Sequence, residues 1–219
     1  MAGIQVTEQN FEHMRRAMVA NQLRTTGVND PRIVAVMAEV PRERFVPADR
    51  AILAYADLPL ALCKGRELSP PMVTGRLLTQ AEVVPGEKVL VVGAGTGYAA
   101  ELLHRLGAEV VALEEDTALL AIGRQVAPGV LWVTGPLPAG HQEGAPYDLI
   151  LIDGAVEEIP RTLVDQLAQG GRLVGAIVDQ GVTRLVSGVR AGAGFGVQSF
   201  ADAFAAHLPG FARPPVFSF

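Results

Sequence analysis

The sequence predicts an α/β protein of the doubly wound class: a mostly parallel sheet with helices on both faces and a helical addition at its N-terminal end. Three observations predict it. From Lys88 onward, short aliphatic runs alternate with helical stretches, the order that builds a parallel sheet covered on both sides. The first of those runs opens directly into a glycine-rich turn followed by a helix. The composition is aliphatic, with 49% hydrophobic, 19% charged and only 5% aromatic residues among 219, which suits one sizeable buried core.

The helical addition comes first. Phe11, Met14, Met18 and Leu23 recur at near-helical spacing, with Arg15 and Arg16 on the other side. Asn29-Asp30-Pro31 marks a second helix start, a capping side chain followed by proline in the first turn. Ile33, Val36, Met37 and Val40 form its apolar stripe, and Pro41 stops it. Pro47, Pro59, Pro70 and Pro71 make the stretch from Phe45 to Pro71 extended and looped. A third helix is expected over Met72–Ala81, ended by the Pro85-Gly86 turn.

The alternating part follows. Strands are expected at Lys88–Val92, Glu109–Leu113, Val130–Val133, Tyr147–Ile152 and Arg172–Val178. Helices are expected at Tyr98–Leu106, Thr117–Val126 and Pro160–Gln169, the last started by proline and stopped by Gly170-Gly171. Val182–Val189 and Gly196–Phe200 are expected to close the sheet as an antiparallel pair. The chain is thus expected to be a single domain over residues 1–219, with 1–80 as the helical segment and 81–219 as the Rossmann-like core.

Several function classes are disfavoured. With 18 basic against 23 acidic residues the formal charge is -5 and no basic block occurs, so a nucleic-acid footprint is not expected. Cys63 is the single cysteine, which leaves no intramolecular disulfide framework and no CxxC metal pair. The start, Met-Ala-Gly-Ile-Gln-Val, lacks the basic cap and apolar run of a signal peptide. No apolar stretch approaches the roughly 18–20 residues a membrane span needs. A cytoplasmic location is the expectation.

The informative stretch is Val89-Leu90-Val91-Val92-Gly93-Ala94-Gly95-Thr96-Gly97-Tyr98. Glycines after a buried strand let the backbone turn sharply against a ligand, and the next helix points its free N–H groups at it. A dinucleotide fingerprint requires G-x-G-x-x-G. Here Tyr98 stands where the third glycine would be, and the spacing is G-x-G-x-G, a form common among S-adenosylmethionine-dependent methyltransferases. Gly93, Ala94, Gly95, Thr96, Gly97 and Tyr98 are therefore the expected cofactor cradle. Glu114 ends the next strand about 20 residues on, where an acid can accept hydrogen bonds from both ribose hydroxyls; the alternative for it is a solvated strand end.

Several further segments resemble the protein-L-isoaspartate O-methyltransferase family. They are Met18-Val19-Ala20-Asn21-Gln22-Leu23, Gly27-Val28-Asn29-Asp30, Val40-Pro41-Arg42-Glu43-Arg44-Phe45-Val46-Pro47 and Ala54-Tyr55-Ala56-Asp57-Leu58-Pro59-Leu60, followed by Ala145-Pro146-Tyr147-Asp148, Ile159-Pro160 and Gln166-Leu167-Ala168-Gln169-Gly170-Gly171-Arg172-Leu173-Val174. The resemblance runs in family order from about Met14 to Val178. It implies a seven-stranded methyltransferase sheet, S-adenosylmethionine as cofactor, and methylation of the abnormal carboxylate of isoaspartyl residues in damaged proteins. A carboxylate acceptor is already ionised near neutral pH, so no catalytic base is required. His13, His104, His141 and His207 accordingly need no catalytic role.

The departures from the family pattern bear on the site. The lining segment Gly-Gln-Thr-Ile-Ser-Gln-Pro is here Gly65-Arg66-Glu67-Leu68-Ser69-Pro70-Pro71. It keeps Ser69, whose hydroxyl can orient a carboxylate or a cofactor group, but changes the substrate-facing neighbours. Val91 replaces an acid before the first glycine, and Gly135-Pro136-Leu137 replaces Gly-Asp-Gly, which removes a carboxylate expected near the adenine. Ile152-Asp153-Gly154-Ala155-Val156 replaces Val-Thr-Ala-Ala-Ala. Asp153, at a carboxyl strand end, either faces the reacting methyl, where it suits a proton-bearing nucleophile better than a carboxylate, or caps or is solvated. Ser69 and Asp153 are the expected catalytic residues. Changed acceptor specificity, and a decayed cofactor fold acting through protein contacts, are the alternatives to an isoaspartyl enzyme. The aromatic tail from Leu208 to Phe219 either docks across the domain's own surface or makes a partner or homodimer contact.

Overall fold

The computed structural model describes residues 8–213. The first helix, α1 (Glu8–Met18), runs on into a wider π turn at Val19–Leu23 and a tight turn at Arg24–Thr26. The apolar spacing to Leu23 thus spans one continuous run whose pitch changes. α2 (Pro31–Glu39) begins as its sequence dictates: the Asp30 carboxylate accepts the Arg32 N–H, and proline occupies the first turn. The proline-bearing stretch folds into short turns at Arg42–Phe45 and Ala48–Leu53, then a small antiparallel hairpin of β1 (Leu60–Ala61) and β2 (Glu67–Leu68). α3 (Pro71–Ala81) follows, with Val73, Leu77 and Leu78 buried.

The main sheet contains β3 (Lys88–Val92), β4 (Glu109–Glu114), β5 (Leu131–Thr134), β6 (Tyr147–Val156), β7 (Leu167–Asp179), β8 (Val182–Ala191) and β9 (Gly194–Asp202). Its seven strands lie in the order β5-β4-β3-β6-β7-β8-β9. The pairs from β5 to β7 are parallel, and β8 and β9 close the edge as antiparallel neighbours. α4 (Tyr98–Arg105), α5 (Thr117–Val126) and α6 (Arg161–Asp165) are the crossovers. β3 shows why the class was legible: Val89 and Val91 face one apolar cluster while Leu90 and Val92 face the other, so the strand is buried on both sides. The first cluster also takes in Met18, Ile33, Met37 and Phe45, which seats the helical addition on that face of the sheet.

The proline-bearing stretch thus carries helical turns and a hairpin where extended loop was expected, and the last expected helix is cut short. The helix expected over residues 160–169 stops at Asp165, because Leu167 pairs with Tyr147 and carries the following residues into β7. The Gln166 side chain fastens that junction by donating to the Ala139 carbonyl at 2.7 Å and accepting the His141 N–H at 2.9 Å.

Two features position the site. β3 and β6 are neighbours, yet the chain leaves them for opposite sides of the sheet, so a crevice opens at their carboxyl ends. The C-terminal segment then returns to this crevice: Ala155 N–H donates to the Ala206 carbonyl at 2.7 Å, and Leu208 N–H to the Ala155 carbonyl at 2.9 Å. Leu208 and Phe211 are buried, and Arg213 pairs with Asp179 at 3.3 Å. The tail therefore docks on its own fold as far as Arg213; Phe217 and Phe219 lie outside the described residues. Among the described residues no helix is long and apolar enough to cross a membrane.

Candidate active site

The turn after β3 has the shape its glycines imply. Gly93, Gly95 and Gly97 adopt φ of 73°, 57° and 93°, a left-handed conformation that side-chain-bearing residues resist. The backbone here bends around the end of β4, and Gly93 and Ala94 both donate to the Leu113 carbonyl, at 3.0 and 3.1 Å. The side chains of the cradle face elsewhere. Thr96 Oγ1 donates to the Phe45 carbonyl at 2.6 Å, and the Tyr98 ring meets Phe45 edge-on at 5.4 Å. These two residues couple the glycine turn to the helical addition, and the turn's own amides are largely engaged, Gly93 and Ala94 on the Leu113 carbonyl, Gly95 on Glu114 and Gly97 on the Ala94 carbonyl at 2.8 Å.

Glu114 is fully buried, which removes the solvated alternative. Its Oε2 accepts the Gly95 N–H at 2.7 Å, and its Oε1 accepts the N–H groups of Glu115 and Asp116, both at 3.0 Å. The remaining capacity is taken by Arg66, whose Nη1 donates to Oε1 at 2.6 Å and Nη2 to Oε2 at 3.0 Å. Nη2 also reaches the Gly93 carbonyl at 3.0 Å. Arg66 is only 7% exposed. It arrives on the turn between β1 and β2, where Leu62 N–H donates to the Arg66 carbonyl and Arg66 N–H to the Cys63 carbonyl, each at 2.8 Å. Lys64 adds a surface ion pair to Asp116 at 2.8 Å.

The second half of the crevice lies between Gly93 and Gly154. A Cβ at Gly93 would stand 2.8 Å from Leu208 Cδ1, and one at Gly154 would stand 2.6 Å from Leu208 Cγ. The Leu208 side chain therefore rests on bare backbone at the ends of β3 and β6 together.

Ser69 and Asp153 meet: Ser69 Oγ donates to Asp153 Oδ1 at 3.2 Å. Burial pushes the Asp153 carboxyl up to about 6, against the opposing pull of Ser69, Arg66 and Arg42. Behind Ser69 stands Arg42, fully buried, donating Nε to the Ala54 carbonyl at 2.7 Å and Nη2 to the Ser69 carbonyl at 2.6 Å. Its guanidinium lies over the Tyr98 ring at 4.7 Å, and neither its Nη1 nor the Tyr98 hydroxyl has a partner of good hydrogen-bond geometry. Burial draws the Arg42 pKa down from its ordinary value, while Tyr98 and Asp153 resist that shift.

The residue types of the cradle thus match a nucleoside ligand, but their arrangement does not admit one. A carboxylate offers about four acceptor sites. Five N–H donors already converge on Glu114, so a ribose has no acceptor left there while Arg66 stays. Leu208 and Leu62 cover Gly93 and Gly95 in the same arrangement.

Ser69, Asp153, Glu114 and the glycine turn, the residues expected from the sequence, lie together at one end of the sheet. Arg42 carries no such signal, although it lies in a segment that resembles the family, because a buried arginine has no periodic signature. As a departure from the family pattern Arg66 reads as a substrate-side change; the structure places it against Glu114 and the Gly93 carbonyl. A cation replacing a neutral residue opposite a buried acid was the available signal.

The sequence profile described as protein-L-isoaspartate(D-aspartate) O-methyltransferase matches residues 14–194. A Koribacter versatilis protein-L-isoaspartate O-methyltransferase is 41% identical over 165 residues, covering 73% of this chain and 74% of the relative. One from Methylorubrum populi is 43% identical over 164 residues, covering 73% and 77%. A solved protein-L-isoaspartate O-methyltransferase superposes with a TM-score of 0.78 at 24% identity, covering 90% of this chain, which spans 66% of that structure. A second, a putative enzyme of this name from Plasmodium falciparum in complex with S-adenosyl-L-homocysteine, gives a TM-score of 0.76 at 19% identity, covering 88% and 98%. These two likenesses establish the fold; the sequence relatives carry more.

Proposed function

Because the chain belongs to the protein-L-isoaspartate(D-aspartate) O-methyltransferase family, we propose that it transfers methyl from S-adenosylmethionine to the abnormal carboxylate of isoaspartyl residues in damaged proteins. The observation that carries this reading is the meeting of Ser69, Asp153, Glu114 and the glycine turn at the carboxyl ends of β3, β4 and β6, within the matched residues. The donor, when bound, supplies a methyl group activated by its positively charged sulfur. The chain's part is to align the acceptor and strip its water, since an ionised carboxylate needs no base.

Ser69 is the hydroxyl that can orient the acceptor. Arg42, donating to the Ser69 carbonyl, supplies positive potential behind it without touching water. Asp153 acts according to its charge. Protonated, it can donate a hydrogen bond to the incoming carboxylate; ionised, it repels that carboxylate by roughly 1 kcal/mol or more. Its carboxyl is held near 6, so methylation of an isoaspartyl peptide should decline as pH rises through that value.

Labelled S-adenosylmethionine with an isoaspartyl peptide, its aspartyl counterpart as control, tests this between pH 5.5 and 8. Selective labelling that falls with pH supports the reading, and Asp153→Asn should flatten the fall. Absence of isoaspartyl labelling at every pH overturns it. Asp153 also favours a second reading, in which it takes a proton from a hydroxyl or amine acceptor. In that case turnover of such an acceptor rises through pH 6, the opposite slope.

A further inference from the structure

We infer that Arg66 is a built-in competitor for the nucleoside of the methyl donor, and that the β1–β2 turn bearing it must swing away before the donor can bind. The inference rests on the donor assignment above. Arg66 satisfies Glu114 as a paired ribose diol would, with two donors on the two carboxylate oxygens at 2.6 and 3.0 Å. It does so from a buried position, with a further donor on the Gly93 carbonyl at the start of the cradle. A bidentate guanidinium–carboxylate contact is among the stronger hydrogen-bonded pairs, and a buried one is costly to break one-sidedly. The donor must therefore exchange with Arg66 rather than add beside it.

The turn is built to make that exchange possible. Its attachment to the cradle is made of side chains: Arg66 on Glu114, Lys64 on Asp116, and Leu62 against Gly95. The pairing that holds the hairpin together is short, Leu60 with Leu68 and Ala61 with Glu67. Residues 62–66 can thus leave the cradle without unzipping a long ladder. Displaced, Arg66 returns to water, where its charge is solvated, and Glu114 is freed for the ribose. Arg66 in this role lowers affinity for the donor and sets the concentration at which the site fills.

Calorimetric titration of S-adenosylhomocysteine into the intact protein and into Arg66→Gln tests this. Arg66→Gln is expected to bind at least tenfold more tightly, with Arg66→Lys between the two because a lysine cannot make the forked contact. Equal or weaker binding by Arg66→Gln overturns the inference, the weaker case meaning that Arg66 holds the nucleoside rather than excluding it. Should none of the natural chain, Arg66→Gln and Arg66→Gln/Leu208→Ala bind, the donor assignment itself falls. Binding by all with equal affinity removes only the role given to Arg66.

Cys63 gives a second readout that needs no variant, because it lies in the moving turn and burial holds its thiol above the ordinary range. Its labelling by a thiol reagent is expected to quicken severalfold when S-adenosylhomocysteine saturates the natural protein. An unchanged rate at saturation would mean that the turn stays in place, and would overturn the inference.

Discussion

Asp153 is the residue whose surroundings most affect how the site responds to pH. Its ordinary pKa is 3.8 and its folded value is about 6, so the folded protein holds this proton more tightly than the unfolded chain. The sign follows from linkage: its contribution favours folding below the ordinary value, then weakens as pH rises through about 6. Asp153→Asn removes that loss. We expect the variant to be more stable than the natural protein at pH 7.5, by about 1 kcal/mol after allowing for partial solvation. The gain should shrink toward pH 4, and thermal unfolding at the two pH values measures it. A gain of equal size at both pH values would contradict the raised pKa.

At the scale of elements, two junctions hold the sheet to its neighbours. Arg172 of β7 donates to the Ala81 carbonyl at the end of α3, to the Glu82 carbonyl at 3.1 Å, and to both oxygens of Glu87 at 2.8 and 2.7 Å. The Arg172 hydrogen bonds hold the Glu87 carboxyl below its ordinary value of 4.5. Arg172→Met should therefore cost about 2 kcal/mol at neutral pH, a melting-temperature drop of about 5 °C. The deficit should narrow in acid, because Glu87 loses its stabilising contribution as pH falls through its depressed pKa. Thermal melts from pH 3 to 7 check both parts.

The second junction is α5 on β5. Ala would normally strengthen a helix interior relative to Gly by about 1 kcal/mol. At Gly123, however, a Cβ would stand 2.2 Å from Trp132 Cη2, and the indole is held by its N–H to the Ala127 carbonyl at 3.2 Å. Gly123→Ala should thus destabilise the protein by about 1–2 kcal/mol net, read by denaturant midpoint. α5 itself spans Thr117–Val126, as its periodicity predicts, with Asp116 as cap. The helix after Pro160 was legible only in part: β pairing at Leu167 overrode a local helical signal, and such pairing is invisible until the partner strand is placed.

Across the whole molecule, the order of strands and the position of the cradle followed from local pattern, because a strand buried on both faces and a glycine turn both leave a mark in the chain. What fills the cradle did not. Arg66 lies 48 residues from Glu114, and Leu208 comes from the far end of the sequence. Their convergence depends on where the hairpin and the tail cross the open end of the sheet, and no spacing rule carries that. The molecule as described is a methyltransferase fold whose ligand crevice is occupied by its own side chains from two directions. The most direct measurement is a crystal structure of the protein grown with excess S-adenosylhomocysteine. The expected result is the nucleoside seated on residues 93–98, its ribose on Glu114, with Arg66 turned out to solvent. Arg66 still paired with Glu114, and no nucleoside in the crevice, would contradict it.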